Sequence, residues 1–170
     1  LWLDENKNNL LRFYEAEHLD NIVAVISPFS AQIQELNRRL KSKYPGMTVG
    51  TVHSLQGSEK PVVVFSLVYD QTVTDKAFLD RGVNMLNVAV SRAKDSFVVI
   101  GNMGALDQRG QHPSSLLARF LFSSPDNELT TNAVEIPLEM EENDVTRLSS
   151  LDDHRNALLE ALTGARNQVV

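Results

Sequence analysis

Three stretches hold the side chains best suited to chemistry on a charged ligand: residues 27–32, residues 51–59, and residues 82–101 with Arg92 inside them. Their residue types are complementary. Backbone N–H groups and the hydroxyls of Ser27, Thr51 and Ser54 suit phosphate oxygens, Glu59 suits a sugar hydroxyl, and Arg92 offers a cation to a polyphosphate. An arginine at a helix end also has the plainer role of capping the helix dipole, and spacing alone leaves both readings of Arg92 open.

Other chemistries lack their residues. No Gly-x-x-x-x-Gly-Lys-[Ser/Thr] occurs, so the chain has no phosphate-cradling loop and is not a self-sufficient P-loop NTPase. His18, His53, His112 and His154 are scattered, with no paired metal-ligand spacing, and no metal site is expected. Ser54 and Ser91 lack the Gly-x-Ser-x-Gly elbow of an activated nucleophile. The absence of cysteine excludes disulfides and thiolate metal sites and fits a reducing cytoplasm, the expected location. No apolar run approaches the roughly 18 residues that span a bilayer, and the start shows no cationic and apolar leader, so no membrane partner is expected.

The elements that must position these residues are legible from patterning. A chain of 170 residues with 42% hydrophobic and 22% charged residues can bury a core as one domain plus an appendage. Residues 22–26 form a continuous apolar run, as expected of a strand covered on both faces and hence of a parallel sheet. Ser30 is placed to cap a following helix with Ile33, Leu36, Asn37 and Leu40 inward. Residues 47–52 and 61–68 read as further strands around a polar loop. Met85, Val88, Ala89 and Ala93 then follow helical spacing with Arg92 in the last turn, ahead of a strand at residues 97–100. Helices are also expected over residues 9–19, 103–108, 114–122 and 152–165. Residues 69–81 read as a surface connection, and residues 134–136 as a short strand. Alternating strands and helices predict an α/β fold with a mostly parallel sheet, whose strands aim all three functional stretches at one edge.

Charge divides the chain unevenly. Residues 1–120 hold 13 Lys and Arg against 12 Asp and Glu, whereas residues 121–170 hold 3 against 10. A neutral body of this kind grips phosphates locally through N–H groups and a few cations, so the net charge of -6 does not exclude a nucleic-acid partner.

Three blocks carry a family resemblance: VAVISPFSAQIQEL (residues 23–36), TVHSLQGSEKPVVVFS (residues 51–66) and LNVAVSRAKDSFVVIGN (residues 86–102). In order and spacing they resemble motifs IV, V and VI of superfamily 1 helicases, in the 5′-to-3′ branch of the RNA-surveillance helicase and the replication helicase-nucleases. The resemblance covers about residues 20–103 and implies a second RecA-like domain of the P-loop NTPase type, lacking the P-loop itself. It closes over ATP and Mg2+ held by a first RecA-like domain of the same polypeptide, which would supply the Mg2+ ligands.

By that resemblance Arg92 is the catalytic arginine finger, a contact worth 10³ to 10⁵ in rate in related NTPases. Gln56, Gly57 and Glu59 bind the nucleotide, with Gly57 offering its N–H near the γ-phosphate and Glu59 accepting from a ribose hydroxyl. Thr51, His53 and Ser54, with Ser27, Pro28 and Gln32 in support, line the side that contacts single-stranded DNA or RNA. Leu55 departs from the aromatic residue common in the family, and the arginine that many members carry between motifs III and IV is not assigned to a residue of this chain. Val62 to Ser66, Arg12 and Lys94 read as core strand, solvated face and local ion pair.

The implied function is the C-terminal motor domain of an ATP-dependent helicase or translocase, inactive as an isolated piece. The alternative is a degenerate, non-catalytic motor domain that docks other proteins. Residues 1–122 form the expected RecA-like domain, 123–147 an acidic linker, and 148–170 a helix and strand entering a further domain. LSSLDDHRNALLEALTGARNQVV is similar to the entry into phospholipase D-like domains, and the opening at Leu1 rather than Met suggests an excised piece.

Overall fold

Runs rich in β-branched residues lie side by side as strands in the computed structural model, which describes residues 2–55, 58–69, 77–80, 84–129 and 144–149. The strands are β1 (Val23–Ile26), β2 (Thr48–Gly50), β3 (Lys60–Ser66), β4 (Ala93–Asn102), β5 (Glu128–Leu129) and β6 (Asp144–Ser149). The helices are α1 (Trp2–Phe13), α2 (Leu19–Ile22), α3 (Ser30–Leu40), α4 (Ala77–Asp80), α5 (Asn84–Ser91) and α6 (Pro113–Leu121). The sheet order is β2-β1-β3-β4-β6-β5. The first four strands are parallel, with Val23 opposite Val62 and Val63 opposite Phe97, and β6 joins β4 antiparallel. The expected α/β architecture with a mostly parallel sheet is the one observed.

Successive side chains of a strand face opposite sides, so the apolar runs build two cores at once. Ala24, Ile26, Val63, Phe65, Phe97 and Val99 pack with Leu86, Ala89 and Val90 of α5 and with Leu117 and Leu121 of α6. Val23, Val25, Val62, Val64 and Val98 face the other way, beneath Leu10, Leu11 and Tyr14 of the N-terminal segment and Leu36 and Leu40 of α3. The sheet is therefore covered on both faces. At Gly101 an added Cβ would lie 2.5 Å from the Leu67 carbonyl oxygen, so glycine is what allows β4 to run so close to the end of β3.

Several boundaries differ from the sequence reading. The first helix is not at residues 9–19: it spans Trp2–Phe13 and ends in a Schellman turn, with the Ala16 N–H donating to the Leu11 carbonyl and Glu15 at φ 49°. Ile22 belongs to α2 and not to the strand. Ser30 does not cap α3. Phe29 is the N-cap, and the turn is held by Ser27, whose Oγ accepts from the Phe29 N–H at 3.3 Å. The helix expected at residues 103–108 is a single 3-10 turn, Met103–Ala105, while that at 114–122 is α6, begun one residue earlier by Pro113. The surface connection at residues 69–81 contains α4 with fully buried Leu79, and Tyr69 is buried as well. Residues 123–147, read as linker, contribute β5 and part of β6. The strand at 134–136 and the helix at 152–165 lie outside the described residues.

Two tyrosines fasten the N-terminal segment. The Tyr14 hydroxyl donates to Asp95 of β4, and the Tyr44 hydroxyl donates to Asp4 of α1, which also pairs with Lys43 at 2.6 Å. Burial, then the hydrogen bond to a carboxylate, raises both phenols, Tyr44 to about 12. A phenol whose folded value lies above the ordinary 10 stabilises the fold fully below that pH. That contribution is lost as pH rises, because the unfolded chain releases its proton first. Stability measured by urea unfolding is expected to fall as pH rises from 10 toward 12, and Tyr14→Phe and Tyr44→Phe each flatten that limb. An unchanged slope in both variants contradicts the fastening.

Candidate functional site

Parallel strands give the sheet two unlike ends, and the candidate residues divide between them. At the carboxyl end lie residues 27–32 after β1, Thr51 after β2, and Ser66 closing β3. At the amino end lie Glu59 just before β3 and Arg92 just before β4. The expectation that all three stretches meet at one edge is thus corrected. Residues 51–59 start at one end of the sheet and finish at the other, and Arg92 precedes its strand.

The amino end is built around the pairing of β3 with β4. Lys60 is in register with Ala93, and the Lys60 N–H donates to the Arg92 carbonyl at 3.0 Å, which sets Glu59 and Arg92 on adjacent strand ends about 4.8 Å apart. Arg92 is not in the last turn of the helix: α5 stops at Ser91, and Arg92 is the turn residue, its N–H donating to the Ala89 carbonyl at 3.2 Å. Its Nη2 donates to the Ser91 Oγ at 3.1 Å, and that hydroxyl donates to the Val88 carbonyl. Arg92 is half-buried and, among the described residues, meets no carboxylate. Glu59 and Ser58 beside it are exposed. A guanidinium held by one neutral hydroxyl has most of its donor fork available to an anion, and the exposed Glu59 carboxylate on the adjacent strand end suits a hydroxyl donor. Gln56 and Gly57 lie outside the described residues.

Sequence reasoning missed how this pair is fastened. The register between β3 and β4 slips after Lys60, where Pro61 has no N–H to give the ladder. The Lys60 amino group donates to the Asp20 carbonyl, and Asp95 within the slipped segment receives Tyr14 and Ser96. The available signal was Pro61 itself, since a proline in a central strand calls for a bulge.

At the carboxyl end the residues differ in what they present. Ser27 is fully buried and its hydroxyl is engaged in the Phe29 turn, so it shapes the loop and does not face outward. Its N–H donates to the Gly50 carbonyl at 3.2 Å, which joins the ends of β1 and β2. Gln32 is half-buried and donates to the Ser66 Oγ at 3.2 Å, tying α3 to β3. Pro28 and Thr51 are half-buried, while His53 and Ser54 are exposed on the 3-10 turn Val52–Leu55. The Ser54 hydroxyl donates to the Thr51 carbonyl at 2.6 Å, and a Cβ on Gly50 would meet it at 1.9 Å. Leu55 is fully buried in the α5 core. The described residues include no cluster of three metal-ligating side chains, and no described helix is long and apolar enough to cross a membrane.

Comparison with known proteins matches residues 6–104 to the family described as AAA domain. The chain is 34% identical over 126 residues to Helicase sen1 of Schizosaccharomyces pombe, covering 69% of this chain and 7% of that protein. It is 34% identical over 108 residues to the DNA polymerase alpha-associated DNA helicase A of Saccharomyces cerevisiae, covering 62% of this chain and 15% of that protein. It is 28% identical over 123 residues to the DNA replication ATP-dependent helicase/nuclease dna2 of Schizosaccharomyces pombe, covering 70% and 9%. The matched stretch is thus less than a sixth of the length of each of these relatives.

Proposed function

Because the chain belongs to the AAA domain family, and its relatives are named helicases, we propose that it is the second RecA-like motor domain of an ATP-dependent superfamily 1 helicase or translocase. The observation that carries the reading is the juxtaposition of Glu59 with Arg92, a cation with no carboxylate partner among the described residues. Residues 1–122 form the body of this domain in a cytoplasmic protein, and the strands at 128–129 and 144–149 complete its sheet. Its partner is a first RecA-like domain of the same polypeptide, which holds the phosphates and Mg2+. The bound ATP supplies the scissile phosphoanhydride.

This chain's residues then have separate tasks. Arg92 places its fork against the charge that develops on the transferred phosphoryl group. Glu59 accepts from a sugar hydroxyl, with Gln56 and Gly57 completing the nucleotide side. At the other end of the sheet Thr51, His53 and Ser54 face the backbone of single-stranded DNA or RNA, while Ser27, Pro28 and Gln32 hold the loop that shapes this surface. The division of residues between two ends supports these roles, since one sheet serves nucleotide and strand without competition for space. The docking-module alternative is not favoured, because the relatives are named helicases and the motif residues are present together.

Glu59→Ala tests the nucleotide side. In the full-length polypeptide it is expected to weaken nucleotide affinity about tenfold, the loss of roughly 1.4 kcal/mol from a charge-assisted hydrogen bond. Affinity for a single strand should change less than twofold. Titration with a fluorescent nucleotide and with a labelled oligonucleotide separates the two, and equal losses would remove the role.

A further inference from the structure

The loop after β4 leaves the sheet at the same end as Thr51 and Ser54, and nothing above uses it. Asn102 ends the strand, its side chain accepting from the Gly104 N–H at 2.9 Å, and residues 107–112 then run exposed, save for half-buried Gly110, to Pro113 at the start of α6. The loop is held from beneath. Arg119 of α6 donates through Nη1 to the carbonyls of Gln108 and Gly110, at 3.0 and 2.8 Å. The Asp107 carboxylate accepts from the Arg109 backbone N–H at 2.9 Å. One arginine is thereby spent on shaping the loop while the other, Arg109, is exposed and pairs with no carboxylate among the described residues.

Position gives that cation its meaning. Along this end of the sheet the order is Thr51 after β2, residues 27–29 after β1, Ser66 after β3, then the loop after β4. Strands about 4.8 Å apart put roughly 14 Å between the ends of β2 and β4, within reach of one extended oligonucleotide, and the loop starts from the second of these ends. The residues already assigned to this surface are neutral donors and one histidine. None of the described residues assigned to it is a lysine or arginine, and neutral groups gain little from counterion release, the main source of affinity for a phosphate backbone.

We propose that residues 107–112 extend the strand-binding surface and that Arg109 is its phosphate contact. The inference rests on the proposed strand-binding role of this end of the sheet. His112, also exposed, lies at the far margin of the same loop. Arg109 serves any sequence equally, because it meets a phosphate and not a base edge.

The test is anisotropy of a labelled single-stranded oligothymidine with the full-length polypeptide, titrated at salt from roughly 50 to 200 mM. Arg109→Ala is expected to weaken binding about fivefold at the lower salt and to reduce the slope of log K against log salt by about 0.7, the share of one phosphate on a single strand. Arg109→Lys keeps most of that slope. Arg12→Ala, an exposed cation on α1 across the sheet, changes neither quantity. The double variant Thr51→Val with Ser54→Ala reports on the surface itself. If the double variant weakens binding and Arg109→Ala does not, the inference is overturned and the strand-binding reading stands. If neither weakens binding, that reading fails and takes the inference with it. Circular dichroism distinguishes either loss from misfolding, which Arg109→Ala should not cause because its loop bond is made by the backbone N–H.

Discussion

Arg92→Ala is expected to lower ATP hydrolysis by the full-length polypeptide by roughly 10³ or more while leaving nucleotide and strand affinities within a few-fold. The magnitude follows from where the charge acts. A guanidinium that meets the developing charge only in the transition state contributes to turnover and little to ground-state binding. The structure also makes the substitution clean. Among the described residues the side chain bonds only the Ser91 hydroxyl, whereas the contacts that hold the strand ends together, Lys60 N–H to the Arg92 carbonyl and Arg92 N–H to the Ala89 carbonyl, belong to the backbone and survive in alanine. The thermal midpoint should therefore move little. Arg92→Lys is expected to restore only a small part of the rate, because an ammonium cannot reproduce the planar fork. Steady-state phosphate release with single-turnover controls is the measurement, and near-normal turnover in Arg92→Ala would sink the arginine-finger role.

Phe97→Ala is expected to cost about 3–5 kcal/mol of folding stability, a large part of the roughly 5–15 kcal/mol typical of a domain. Phe97 is 2% exposed, stacks on Phe65 with ring centroids 5.7 Å apart, and sits in β4, where the sheet changes from parallel to antiparallel pairing. Both neighbours are strands, so a cavity there has no mobile loop with which to collapse. Phe13, 76% exposed on α1, is the matched control, and its alanine variant should lie within about 0.5 kcal/mol of the parent. Urea unfolding of both variants decides the matter; a loss below about 1 kcal/mol at Phe97 would contradict the core described.

Much of the fold was legible because its strands are buried on both faces. A run such as Val62-Val63-Val64-Phe65 has one plausible fate, and the inner faces of α3 and α6 follow from helical spacing. The end of α1 was not legible. Its left-handed position is Glu15, where the usual signal would be glycine or asparagine. The strands β5 and β6 escaped for another reason. One has two residues, the other reads Asp-Val-Thr-Arg-Leu-Ser, and the pairing with β4 is a long-range event that no local pattern announces. The candidate residues were chosen by type, spacing and resemblance, and their arrangement differs from the one expected. A loop that follows one strand also precedes another, and residues 51–59 do both at opposite ends of the sheet.

The slipped register at Pro61 and the straight run of β3 beyond it have a mechanical consequence. From Lys60 to Ser66 the strand is a strut about 20 Å long, paired on both sides from Val62 to Phe65 and unable to shorten there. A tilt of roughly 10° imposed at the end that carries Glu59 and Arg92 would sweep the far end through about 3.5 Å. Stiffness of this kind makes the sheet a lever, and the distance travelled at one end is set by the angle given at the other.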